Sequence, residues 1–147
     1  MPVFKKITVS VLADASLSTT WKAFTTPSSI MQWNFASDDW RCPEAAIDLR
    51  KGGSFSYRME SKDGKYGFDF NGTFTKVIPD NRIDYSLDDD RCVSIVFHET
   101  GGKTEVTETF DAETENSLEL QKNGWQAILD NFRKHAESVE RLNPGLA

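Results

Sequence analysis

Two cysteines and two histidines are all that this 147-residue chain holds of the side chains most often used to grip transition metals. Cys42 and Cys92 lie far apart with no C-x-x-C spacing, so neither a redox motif nor a zinc site is expected, and the two thiols are read as free. His98 and His135 have no ligand-type partner at useful spacing, and the H-E-x-x-H and G-x-S-x-G signatures are absent. Positive charge is scarce: 17 Lys and Arg stand against 23 Asp and Glu, a net charge of -6. That balance argues against a nucleic-acid surface or an anionic-membrane binder. No long apolar run occurs, and Met1-Pro2-Val3-Phe4-Lys5-Lys6 carries no apolar signal region. The expectation is a soluble cytoplasmic protein with no metal, no cofactor and no assigned catalytic residue. Gly52-Gly53 is a turn without the Lys-Ser/Thr of a phosphate loop. Asp88-Asp89-Asp90 lacks the alternating ligands and distal glutamate of a calcium loop, and reads as a solvated turn.

Aromatic side chains are plentiful. Ten Phe and four Trp contribute to an aromatic share of 12%, enough for a sizeable core in one domain spanning residues 1–147. The stretch Ser117–Leu142 organises the rest. Leu118, Trp125, Ile128, Leu129, Phe132, Ala136 and Val139 fall on one face of a helix, interrupted early by Gln121 and Lys122. Lys122, Gln126, Asp130, Arg133, Lys134, Glu137 and Glu140 occupy the other face, which suits water. Asn116 with Glu119 reads as a capping box, and Asn143-Pro144-Gly145 as the stop.

Upstream, residues 3–12 alternate as a strand through Ile7, Val9 and Val11. Ser16 caps a short helix carrying Leu17, Trp21 and Phe24. Thr26-Pro27 starts a second, with threonine as cap, carrying Ile30, Met31 and Trp33. Residues 34–46 show no period and read as a loop around Trp40, either a binding segment or a plug on the core. Hairpins follow, with strands at 47–50, 54–60, 66–78, 82–87, 91–99 and 104–111. Gly72 marks a bulge or bend in the longest of them. Asp48 and Arg50 share a face of the 47–50 strand and would pair with adjacent strands. The fold class is α+β: about seven strands in a curved antiparallel sheet gripping a long C-terminal helix, with two short helices after the first strand.

Glu108 has the parity of Val106 and Phe110, so it either faces the core or is turned outward by a local bulge. An inward carboxylate needs a partner or a wet cavity. The aromatic residues Trp33, Trp40, Phe55, Tyr57, Phe70, Tyr85, Trp125 and Phe132, with Glu108 as polar anchor, are the candidate ligand-binding residues. Pattern alone does not separate a filled grip from a hollow one.

Several strings resemble a known family. They are Trp33 with Ser37-Asp38-Asp39-Trp40, then Asp48-Leu49-Arg50-Lys51-Gly52-Gly53-Ser54-Phe55, Gly67-Phe68-Asp69-Phe70-Asn71-Gly72, Thr109-Phe110-Asp111, and the run from Gln121 to Phe132. Together they are similar to the activator-of-heat-shock-protein-90-ATPase homologue family, within the START-like (SRPBCC, helix-grip) superfamily. The resemblance implies a seven-stranded antiparallel sheet wrapped around the C-terminal helix. Its functional implications are broader, since the superfamily includes lipid and polyketide carriers, aromatase/cyclases and a co-chaperone domain. The eukaryotic co-chaperone looks like a two-domain protein, of which this chain matches only the C-terminal domain. No family-wide catalytic motif carries over. Three readings follow, in this order: a binding module for a small apolar or aromatic molecule; a protein-interaction module in stress or chaperone pathways; and a cyclase or hydrolase using Glu108. Monomer and homodimer are both compatible with the sequence.

Overall fold

The structure, a computed structural model, describes residues 4–142. The proposed helix stop at Asn143-Pro144-Gly145 lies outside the described residues. In chain order the elements are β1 (Lys6–Ala13), α1 (Leu17–Thr25), α2 (Pro27–Trp33), β2 (Trp40–Ile47), β3 (Ser54–Ser61), β4 (Gly67–Ile78), β5 (Arg82–Leu87), β6 (Cys92–Thr100), β7 (Lys103–Asp111) and α3 (Leu118–Leu142). All seven strands form one antiparallel sheet in the order β1-β7-β6-β5-β4-β3-β2. Consecutive strands β1 and β2 therefore lie on opposite edges, and α1 and α2 carry the chain between them. Hairpins then return the chain strand by strand to β1.

Local chemistry accounts for most of these elements. Alternation in β1 buries Ile7, Val9, Val11 and Ala13. Ser16 Oγ accepts from the Thr19 amide at 3.1 Å and caps α1. Thr26 makes no side-chain cap bond to α2; Pro27 in its first turn starts that helix instead. The Trp33 indole N–H donates to the Ala23 carbonyl at 2.9 Å, binding α2 back onto α1.

The second strand differs from the sequence expectation. It runs over Trp40–Ile47, where a loop was expected, and residues 48–50 lie beyond it. Its pairing with β3 shifts between Arg41 and Glu44, around Cys42-Pro43. Proline has no N–H for the ladder and is tolerated at a bulge on an edge strand, which also hides the alternation. Asp48 and Arg50 consequently pair with each other, Nε to Oδ2 at 3.0 Å, rather than with neighbouring strands.

The long helix also departs from its expected pattern. Ser117, not Asn116, caps it: Ser117 Oγ accepts from the Leu120 amide at 3.0 Å. Gln121, Leu129, Phe132 and Ala136 are buried, whereas Leu118 is exposed. Its polar face is partly engaged. The Gln126 amide donates to the Ser10 carbonyl of edge strand β1, and Glu137 and Glu140 accept from the Asp14 and Ser16 amides. These bonds occupy main-chain groups beside an edge that would otherwise be open. The backbone of α3 packs closely on β1, α1 and α2. Long aromatic side chains span the wider gap towards the middle of the sheet.

Candidate functional site

That gap is not completely filled. A cavity of about 310 Å³ lies between α3 and the concave face of the sheet. Its wall takes Phe55, Tyr57 and Met59 from β3, Phe68, Phe70 and Phe74 from β4, and Ile83 and Tyr85 from β5. Ile95 from β6 and Glu108 from β7 continue it, and Trp125 and Ile128 of α3 close it from above. Phe24, Trp33, Asn34, Ile47 and Arg91 complete the lining.

Alternation in the strands places each of these groups. Phe55 pairs across the ladder with Gly72, whose missing side chain makes room for the Phe55 ring: a Cβ there would lie 2.5 Å from it. The register break that bends β4 falls between Phe74 and Lys76, just past that glycine. Phe55 meets Tyr57 and Tyr85 at ring-centroid distances of 4.8 Å, and Phe70 meets Trp125 at 6.3 Å.

Glu108 points inward, with no bulge to turn it out: it sits opposite Val9 on β1 and Ile95 on β6 and is 7% exposed. Among the described residues its carboxyl group has no hydrogen bond or ion pair. Burial raises its pKa to about 8 and so holds it largely protonated at neutral pH. Burial also raises the pKa of the Tyr85 hydroxyl, with Glu108, Tyr57 and Arg91 as smaller influences, of which only Arg91 acts downward. Burial does the same at Tyr57. The polar part of the site is thus a neutral carboxyl and two neutral phenols inside an aromatic wall. Arg91 is held at the side by Asp89, Nε to Oδ2 at 2.7 Å.

Seven of the nine residues singled out from the sequence lie in this wall: Trp33, Phe55, Tyr57, Phe70, Tyr85, Glu108 and Trp125. Two do not. Trp40 stands on edge strand β2 against Phe68, with ring centroids 6.1 Å apart. Phe132 is fully buried behind the wall, packed edge-on against Phe24 and Trp33 at 5.1 Å. Sequence reasoning missed Arg91 and Asn34, which sit where a strand begins and a helix ends and carry no periodic signal. The aliphatic lining residues Ile83 and Ile95 were legible only as core.

The remaining chemistry is sparse. Among the described residues no group of three or more His, Cys, Asp or Glu is placed to hold a metal ion. Cys42 is buried and Cys92 exposed, both as free thiols. His98 lies on an exposed strand position, and His135 has a buried Nε2 without a hydrogen-bond partner. No described helix is long and apolar enough to cross a membrane.

The model of the family described as "Activator of Hsp90 ATPase homolog 1-like protein" matches residues 14–137. Among solved structures, the AHSA1-like protein from Aeromonas hydrophila is 41% identical, covering 90% of this chain and 94% of its own, with a TM-score of 0.82. A protein from Cytophaga hutchinsonii is also 41% identical, covering 97% of this chain and 99% of its own, with a TM-score of 0.79. A Nitrosomonas europaea protein shares the fold at 17% identity, covering 96% of this chain and 99% of its own, with a TM-score of 0.79. No match is found among the curated proteins.

Proposed function

This chain belongs to the Activator of Hsp90 ATPase homolog 1-like family, whose START-like fold is in general that of a ligand-binding or interaction domain, and from that premise we propose that it binds a small apolar or aromatic molecule in the cytoplasm. One observation carries the proposal: an aromatic cavity of about 310 Å³ beneath α3, with a few polar groups pointing into it. A hollow of this size costs packing energy unless something occupies it. Small-molecule sites are built in this way, with an apolar wall and sparse polar anchors fixing orientation. In this reading Trp33, Phe55, Tyr57, Phe70, Tyr85 and Trp125 form the wall, with Glu108 as anchor.

Native mass spectrometry on freshly purified protein, compared with the same sample denatured, tests this directly. A bound mass of small-molecule size, lost on denaturation, is the expected result. The same spectrum reports whether the chain is a monomer or a homodimer. A bare mass that stays bare after incubation with a library of aromatic compounds overturns the reading.

The family description favours a second reading, an interaction module in a chaperone pathway. Exposed Tyr66 and Phe68 beside the β3–β4 turn offer apolar surface for it. A pull-down from lysate that recovers no Hsp90 removes this reading.

A further inference from the structure

Glu108 is a buried acid that no hydrogen bond or ion pair answers among the described residues. Val9 faces it from β1, Ile95 from β6, and Trp125 and Ile128 enclose the same space from α3, and none of them carries charge. The titratable groups that share the cavity are the phenols Tyr57 and Tyr85 and the guanidinium of Arg91. Both phenols are neutral, and Arg91 is already bound by Asp89.

The surface beside the cavity is also acidic. A second depression adjoins it through Phe68, Phe70 and Arg91, and adds Asp69, Asp88 and Asp89 to the rim. Arg58 reaches Asp69 at 3.4 Å. With both arginines counted, the rim stays net negative, as does the chain as a whole. An anion approaching over this surface meets repulsion. A cation meets attraction there, the aromatic wall of Phe70, Tyr85 and Trp125, and an acid without a partner among the described residues.

We propose that the cavity takes a small aromatic molecule bearing a protonated amine, whose ammonium group pairs with Glu108 while its ring lies among Phe55, Phe70, Tyr85 and Trp125. The pairing supplies the partner that the described residues do not, and the surrounding rings exclude the water that would weaken it. Because burial keeps Glu108 protonated, seating the ammonium expels that proton. Binding is therefore linked to pH, and strengthens as Glu108 ionises.

This inference rests on the ligand-binding reading, and three indoles separate the two. Tryptamine, tryptophol and indole-3-acetate share a ring and end in a cation, a neutral hydroxyl and an anion. Titration calorimetry of each into the wild-type protein is expected to rank tryptamine first by about tenfold or more over tryptophol, with indole-3-acetate weakest. The tryptamine preference grows from about pH 6.5 to about pH 9, and at the lower pH binding releases protons to the buffer. In a Glu108→Gln variant, shown folded by a cooperative melt, the ratio of tryptamine to tryptophol affinity falls to about one, whatever the variant does to the affinity for either. Equal affinity of the wild type for tryptamine and tryptophol, or a preference that survives in Glu108→Gln, overturns the proposal and leaves the ligand-binding reading standing. Binding of none of the three overturns the proposal, and the ligand-binding reading is then decided by native mass spectrometry with the aromatic library.

Discussion

Trp125 lies flat on Phe110, with ring centroids 3.9 Å apart and planes 11° from parallel. The stack fastens the first half of α3 to β7, beside Glu108, and makes one side of the indole a wall of the cavity. Removing it takes away both a stack and a wall. Trp125→Ala is expected to lose about 3 kcal/mol in urea denaturation, the low end for a tryptophan deletion because the ring borders a hollow and is only half-buried. A bound ligand is lost in the same variant. A loss of stability near zero means that the stack is not retained in solution.

Two glycines give opposite expectations. At Gly72 a methyl group meets the Phe55 ring at 2.5 Å and the Ser86 carbonyl at 2.9 Å, and the carbonyl belongs to the neighbouring strand and has nowhere to go. Gly72→Ala is expected to lower stability by about 1–3 kcal/mol and to push the Phe55 ring into the cavity. At Gly124, inside α3, nothing lies within 4 Å of the added carbon. Gly124→Ala should raise stability by about 0.5–1 kcal/mol, through helix propensity alone. Thermal melts of the two variants check the contrast.

What the sequence showed depended on periodicity. The inward sets Phe55/Tyr57/Met59 and Ile83/Tyr85/Leu87, and the helix Leu118–Leu142, all follow from spacing and were all legible. So was the inward parity of Glu108, although parity did not decide against a bulge. The strand at Trp40–Ile47 was not legible, because Cys42-Pro43 breaks its register and an edge strand needs no strict alternation. Nor was the position of Trp40 outside the cavity wall, since aromatic character does not say which side of an edge a ring takes. Whether the grip is hollow depends on the angle at which α3 meets the sheet, which no local pattern encodes.

Gln121 shows how an apparent flaw in a pattern can have a structural cause. From sequence it interrupts the apolar stripe, yet it is 9% exposed. Its Oε1 accepts from the Glu113 amide at 2.9 Å, and its Nε2 donates to the Glu113 and Asn116 carbonyls at 3.1 and 2.9 Å. The side chain thereby holds the β7–α3 connection against the start of the helix. Gln121→Leu restores the stripe and strands these main-chain groups, so it is expected to cost about 1–3 kcal/mol despite its better hydrophobicity. Hydrogen exchange should quicken at Glu113 first, because its amide loses its acceptor.

The pH dependence of stability tests the state of Glu108 without any ligand. Its pKa is about 8 when folded, against an ordinary value near 4.5, so between those two pH values the folded protein holds a proton that the unfolded chain has released. Stability contributed by this group is therefore full at low pH and falls as pH rises through the window, by up to about 1.4 kcal/mol per unit. His135 acts in the opposite sense, since burial lowers its pKa and its protonation opposes folding at acid pH. The difference between wild type and Glu108→Gln isolates the carboxyl group, because His135 is common to both. Urea midpoints measured across the window are expected to fall with pH in the wild type relative to the variant, so that Glu108→Gln is the more stable protein at about pH 8 and above. Parallel curves would mean that water or a cation reaches the carboxyl group and keeps it ionised, and an occupied cavity would then have to be sought in the purified protein itself.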